Sequence, residues 1–229
     1  MNPPCIVFDC DGVLLDSNAM KTRTFAAILS EHEPADVQAF LAYQATAFGL
    51  SRYRLIDAFF SDFSSREPHP GEAESMLARF GDLCRRDYAR QPLTDGAMAA
   101  LHALQARGVP MFVVSGSDET ELNGVLETIG LAKFFRRILG SPKTKLENLR
   151  LVERDLGSPH AITFIGDARA DWQASTDFGC RFVYLSPWAA DRAGMTTLRS
   201  AEGFPEISRL DQVLPLLGLA AAPAEAMAS

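Results

Sequence analysis

The sequence predicts an α/β protein: a parallel sheet as the core and a small helical lobe inserted near its start. Three observations carry this. From Gly96 onward, short apolar runs alternate with helical patterns, the signature of parallel strands joined by right-handed crossovers. The first apolar run, Cys5 to Phe8, stops abruptly at Asp9 and Asp11 with Gly12 behind them, as a buried strand does at the functional edge of a sheet. Between these two regions lie four helical patterns and no convincing strand.

Taken in order, those four patterns are marked by Phe25, Ile28 and Leu29; by Val37, Phe40, Leu41 and Phe48; by Leu55, Ile56, Phe59, Phe60 and Phe63; and by Met76, Leu77, Phe80, Leu83, Cys84 and Tyr88. Glu33-Pro34, Gly49 and the run Glu67 to Gly71 supply the breaks of a short helical bundle, with the phenylalanines as its core. Strands are then expected at Val109 to Val114, Arg136 to Gly140, Ala161 to Ile165 and Arg181 to Leu185, with a short edge strand at Phe204 to Ile207. Helices are expected over Gly96 to Arg107, Glu119 to Ile129, the segment marked by Leu146, Leu149, Val152 and Leu156, Asp171 to Phe178, and Leu210 to Leu217. The final Ala-rich stretch is low in complexity and expected to be disordered.

Composition bounds the function. A 229-residue chain with 47% hydrophobic residues is that of an ordinary globular protein, and a net charge of −7 with scattered basic residues argues against a nucleic-acid surface. No apolar run reaches the roughly 20 residues that span a bilayer, and Met1 leads straight into a strand without a signal-peptide pattern, so the expected location is cytoplasmic. Cys5, Cys10, Cys84 and Cys180 lack the spacing of a disulfide framework or a zinc site, and Cys10 reads as a filler between the acids.

Asp-Gly alone is a common turn signal. Its company decides otherwise. Two Asp side chains one residue apart at a sheet edge resist ionising together unless a cation or a fixed ammonium lies between them, which suggests Mg²⁺ and one carboxylate free to react. Val113-Val114-Ser115-Gly116-Ser117, then Lys145, then Ile165-Gly166-Asp167-Ala168-Arg169-Ala170-Asp171 follow in order, all near the polar ends of expected strands.

This ordered set resembles the haloacid dehalogenase superfamily of phosphohydrolases, of the phosphoglycolate phosphatase and β-phosphoglucomutase type. The resemblance runs from Cys5 to about Leu217. It implies a Rossmann-like core over residues 1–16 and 91–218, a helical cap over 17–90, and a tail at 219–229. It implies that Asp9 is the nucleophile that becomes an aspartyl phosphate, and that Asp11 is the general acid and base, with its backbone carbonyl on the metal. Members that cleave carbon–halogen bonds or the phosphonoacetaldehyde carbon–phosphorus bond lack an acid at the position of Asp11, so a phosphate ester is implied. Ser115 and Gly116, expected at the start of a helix, would hold the phosphoryl oxygens. Lys145, with Lys143 as its competitor, would steady the nucleophile, Asp167 would bind Mg²⁺, and Asp171 would bind through water or hold the loop and Lys145.

The implied function is magnesium-dependent hydrolysis of a small phosphorylated metabolite by a monomer or homodimer. A phosphosugar mutase and a catalytically silent module are the alternatives. Asn18 and Lys21 follow the first motif by one helical turn, and Arg52 follows Gly49 at a turn that dips toward the site in the resembling enzymes; these three are candidate substrate contacts. An unpaired cation under a closed cap is costly, so inward-facing Lys21 and Arg52 call for a second anionic or strongly polar group on the leaving group.

Overall fold

The computed structural model describes residues 3–158 and 160–219. Its strands are β1 (Pro4–Phe8), β2 (Met111–Asp118), β3 (Arg137–Ser141), β4 (Ala161–Gly166), β5 (Arg181–Leu185) and β6 (Glu206–Ile207). They form one sheet in the order β3-β2-β1-β4-β5-β6, with every neighbouring pair parallel. After β3 the chain returns past β1 to build the other half. The resulting switch point, between β1 and β4, is where sheets of this order open a crevice at their carboxyl edge.

Pleating divides the core. Ile6 and Phe8 point to one face, with Leu101 and Leu104 of α5 (Ala97–Gln105) and Leu122 and Leu126 of α6 (Glu119–Thr128). Cys5 and Val7 point to the other, with Leu149 and Val152 of α7 (Lys145–Leu156) and Ala174 of α8 (Arg169–Phe178). Helices on both faces bury β1 completely from Cys5 to Phe8, which is why its sequence is a continuous apolar run.

The insertion contains α1 (Asn18–Ile28), α2 (Pro34–Thr46), α3 (Arg52–Ala58), a π-helical turn at Phe59–Phe63 and α4 (Glu72–Asp87). Its core is aromatic: Phe25 meets Phe80 at 4.6 Å and Phe40 at 5.6 Å between ring centroids, and Phe40 meets Phe59 at 5.4 Å. Two neighbouring stretches of chain lead in and out. Leu15 bridges Leu93, the Asp16 N–H donates to the Pro92 carbonyl at 2.9 Å, and the Thr94 N–H to the Leu14 carbonyl at 3.1 Å.

Several expectations change. Strand β2 runs on through Ser115, Gly116 and Ser117 to Asp118, and α6 begins only at Glu119, where the Asp118 carboxylate accepts the Glu121 N–H at 3.0 Å. Ser115 and Gly116 therefore end a strand and do not open a helix. A helix not anticipated from sequence, α9 (Arg192–Glu202), packs Met195 and Leu198 near Phe182 and Tyr184. Met195 and Leu198 stand one helical turn apart, so its buried face does carry the helical spacing although the expectation omits it. The expected helix at Leu210 to Leu217 is a 3₁₀ turn, Leu210–Gln212, followed by α10 (Val213–Leu216), and the expected tail beyond Leu219 lies outside the described residues. Among the described residues no helix is long and apolar enough to cross a membrane.

Candidate active site

The carboxyl ends of β1, β2, β3 and β4 converge on one buried cluster. Asp9 follows β1 directly; its N–H donates to the Ile165 carbonyl at 2.9 Å, and its own Oδ1 accepts the Cys10 N–H at 2.7 Å. The first bond fixes the Asp9 backbone at the crevice between β1 and β4, and the second holds its side chain there. Gly12 makes the next turn possible: its φ is +75°, and a Cβ there would lie 2.1 Å from Asp167 Oδ2.

Asp9, Asp167 and Asp171 are all buried, and one oxygen from each falls within 4.8 Å of the others. Lys145, the first residue of α7, reaches into this cluster. Its Nζ lies 3.0 Å from Asp9 Oδ2 and also ion-pairs with Asp171 Oδ1, whose second oxygen accepts the Ala168 N–H at 3.1 Å. Thr144 and Glu147 form a reciprocal capping box that fixes the start of α7 and so aims Lys145 inward. Lys143, two residues earlier, is exposed.

Charge in this cluster is unbalanced. Burial, with the like charges of Asp171 and Asp11, pushes the Asp9 carboxyl up to about 7 against the pull of Lys145 and the Cys10 N–H. Burial, then Asp171 and Asp9, drives Asp167 well above the carboxylate range. For Lys145, burial works against the charged form, but Asp171 and Asp9 outweigh it and raise its proton affinity.

Asp11 turns away from the three acids. Its carboxylate accepts from Ser17 Oγ and from Ser117 Oγ at 2.8 Å, and Lys21 Nζ lies 3.9 Å away. Burial raises its proton affinity, but Lys21 and the hydroxyls of Ser17, Ser117 and Tyr88 overcome this and hold it below the usual value. Ser17 precedes α1 and makes no side-chain capping bond there; its hydroxyl is given to Asp11. Cys10 lies beneath Tyr88, whose hydroxyl donates to its Sγ at 3.5 Å.

Asp9, Asp11, Asp167, Ser115, Gly116 and Ser117 share one tight pocket with residues of the insertion: Lys21, Phe25, Gln44, Phe48, Gly49, Leu50, Arg52, Leu55 and Phe80. Its open volume is about 40 Å³. The Gly49 turn forms its roof, and a Cβ on Gly116 would lie 2.4 Å from the Gly49 carbonyl oxygen. Of the three candidate substrate contacts, Lys21 and Arg52 line this pocket. Asn18 does not: its Nδ2 is committed to Asp167 Oδ2 at 2.7 Å and to the Trp188 carbonyl at 2.9 Å.

Lys21 and Arg52 are not unpaired, which removes the premise that a second anion must neutralise them. Arg52 Nη2 lies 2.9 Å from Glu121 Oε2, with its guanidinium over the Phe80 ring; Lys21 Nζ lies 3.8 Å from Glu121 Oε1, 3.1 Å from Ser117 Oγ and 3.8 Å from the Tyr88 ring centroid. Sequence reasoning missed Glu121, Ser17 and Ser117 as site residues. Only the position of Ser117, two residues after Ser115 and on the same side of a strand, gave a usable signal.

The haloacid dehalogenase-like hydrolase family model matches residues 3–179. A phosphoglycolate phosphatase from Pseudomonas syringae pv. tomato is 28% identical over 196 residues, 80% of this chain and 70% of that one. Among solved structures, a predicted phosphoglycolate phosphatase from Haemophilus somnus 129PT superposes with a TM-score of 0.73 at 19% identity, covering 93% of this chain and 96% of that one. CbbY from Rhodobacter sphaeroides in complex with phosphate gives 0.71 at 15% identity, covering 96% and 99%. These likenesses in structure extend over sheet and insertion alike. With more than half of its length matched by the family model, and with the sheet order and helical insertion already described, the chain belongs to the haloacid dehalogenase-like hydrolases.

Proposed function

We propose that this hydrolase cleaves a small phosphate monoester through an aspartyl phosphate on Asp9, with Mg²⁺ as its cofactor. The observation that carries the reading is the pairing of Asp9 with Lys145 at 3.0 Å in a pocket that also presents Asp11 and Ser115. An Asp9 carboxylate oxygen attacks phosphorus while the ester oxygen departs, taking its proton from Asp11. Water then attacks the aspartyl phosphate, gives a proton to Asp11, and releases inorganic phosphate and free Asp9. The Ser115 hydroxyl and the Gly116 N–H are the donors for the phosphoryl oxygens. Lys21 and the hydroxyls of Ser17, Ser117 and Tyr88 favour the ionised form of Asp11; an arriving phosphate dianion is a like charge and raises its proton affinity toward the acid role.

The residues fit a magnesium ion. Three buried carboxylates converge with a single lysine among them, and the neighbouring Asn18 Oδ1 is buried without a hydrogen-bond partner, as suits a site that also takes metal-bound water. Asp9, the Asp11 backbone carbonyl and Asp167 would hold the ion, with Asp171 engaged by Lys145 and the Ala168 N–H. When bound, Mg²⁺ supplies charge neutralisation for Asp9 and for the transferring phosphoryl group.

The insertion, residues 17–90, would act as a lid that moves to admit substrate, because the pocket's open volume of about 40 Å³ is too small for a phosphorylated metabolite. Since the Pseudomonas relative is a phosphoglycolate phosphatase, 2-phosphoglycolate belongs in the test panel. The test is phosphate release from phosphorylated metabolites and p-nitrophenyl phosphate with Mg²⁺. Stoichiometric phosphate supports the hydrolase. Transfer of the phosphoryl group back to a sugar hydroxyl would make it a mutase, and no turnover by folded, Mg²⁺-loaded protein would overturn the proposal.

A further inference from the structure

We infer that Glu121 sets the charge preference of this pocket, confining it to monoesters whose leaving group is a small uncharged alcohol. The inference rests on the phosphatase reading above and extends it to the class of ester.

Lys21 and Arg52 are the only cationic side chains among the residues that line the pocket. Each comes from the insertion, and each is buried. Glu121, from the first turn of α6, ion-pairs with both: Oε2 with Arg52 at 2.9 Å and Oε1 with Lys21 at 3.8 Å. The carboxylate is itself only 5% exposed. Its backbone is held by the bond of its N–H to Asp118, and the Tyr53 hydroxyl reaches the same Asp118 across the seam at 3.1 Å. With the insertion seated on α6, all three charged groups are buried.

Charge bookkeeping around the pocket then selects the ligand. Asp9, Asp11, Asp167, Asp171 and Glu121 face Lys21, Arg52 and Lys145, so a bound magnesium ion brings the site to balance. A phosphate monoester adds its own two charges. A carboxylate or second phosphate on the leaving group would add more, in a closed pocket whose two remaining cations already face two carboxylates, Arg52 that of Glu121 and Lys21 those of Glu121 and Asp11, and a buried unpaired charge is heavily penalised. Beyond the serines and Gly116 at the end of β2, the lining that the insertion adds to Lys21 and Arg52 is Phe25, Phe48, Leu50, Leu55 and Phe80 with Gly49 and the single amide of Gln44, and it holds no further cation. Without Glu121, Arg52 would be free to receive the added anion and Lys21 would face Asp11 alone.

A matched pair of esters tests this: 2-phosphoglycolate, and 2-hydroxyethyl phosphate, which carries a hydroxymethyl group in place of the carboxylate. The wild-type protein is expected to favour the uncharged ester at least tenfold in kcat/KM. In Glu121→Gln the ratio should shift at least tenfold toward the acid, mainly through a lower KM for it, while a simple loss of structure would lower both together. If only p-nitrophenyl phosphate turns over, inhibition constants of the two esters against it give the same ratio. If Glu121→Gln does not fold, as judged by circular dichroism, the wild-type ratio decides. Preference of the wild type for the acid, or an unmoved ratio in folded Glu121→Gln, would overturn the inference. No hydrolysis of any of the three esters would overturn the phosphatase reading and this inference with it.

Discussion

Lys145 Nζ lies 3.0 Å from Asp9 Oδ2 and ion-pairs with Asp171 in the same buried cluster, so one ammonium bridges the end of β1 and the first turn of α8. That contact depends on Lys145 being the first residue of α7. If it steadies Asp9, Lys145→Met should reduce kcat about 10²- to 10³-fold, the scale for removing one preorganised electrostatic contact. Lys143→Met, at an exposed position, should stay within about 0.5 kcal/mol of wild type in stability and should keep its turnover. Steady-state kinetics and thermal melts of the two variants check this, and a larger loss in Lys143→Met would reverse the assignment.

Asp9→Asn should abolish turnover, because the amide cannot form the acyl phosphate. Asp11→Asn keeps the nucleophile and loses proton transfer, so its rate should fall roughly 10²- to 10⁴-fold. Phosphate release is the measurement. Substantial activity in Asp9→Asn, confirmed free of deamidation by mass spectrometry, would remove Asp9 from the reaction.

Magnesium binding should be pH-dependent. Burial and the neighbouring acids push Asp9 up to about 7 and Asp167 well above the carboxylate range, so near neutral pH this pair retains protons that a bound cation must displace. Affinity should tighten as pH rises through about 7, and each binding event should release protons. Calorimetry in buffers of different ionisation enthalpy measures the release, and EDTA should stop turnover until Mg²⁺ is restored. Binding with no proton release at pH 7 would contradict the protonated cluster.

Gly116→Ala should disable the closed form while leaving the fold intact. Its Cβ would lie 2.4 Å from the Gly49 carbonyl oxygen and 3.0 Å from that of Leu50, both backbone atoms that cannot rotate aside. Holding the insertion off the site by about an ångström is expected to cost on the order of 10²-fold in kcat/KM. A near-normal melting temperature with that loss identifies the closure defect. Wild-type kinetics would show that the Gly49 turn need not seat on Gly116.

Much of this was readable before folding because the signals are local. The apolar runs that stop at Asp9, Ser115 and Asp167 mark the carboxyl-terminal parts of strands, and parallel strands place these on one edge, so three distant motifs meet there. Lys145 followed from the same logic, as the residue that opens a helix after β3. The helical insertion was legible in its phenylalanine spacing. Local signals failed where they were shared: Ser-Gly-Ser-Asp reads as a helix start yet continues β2, whereas α9 carries a helical spacing at Met195 and Leu198 that the expectation passed over.

The sequence by itself determined the fold class, the sheet and its acid-rich edge, since periodicity and turn chemistry act over a few residues and the crossover rule does the rest. Only the tertiary structure decided the electrostatics of the pocket. Glu121 stands on a core helix, while Lys21 and Arg52 stand on the insertion, and no local pattern links residues so far apart in the chain. Their pairing exists because the insertion closes against α6, burying both cations where a carboxylate must answer them. That closure gives two apparent anion receptors carboxylate partners of their own, Glu121 for Arg52 and Glu121 with Asp11 for Lys21.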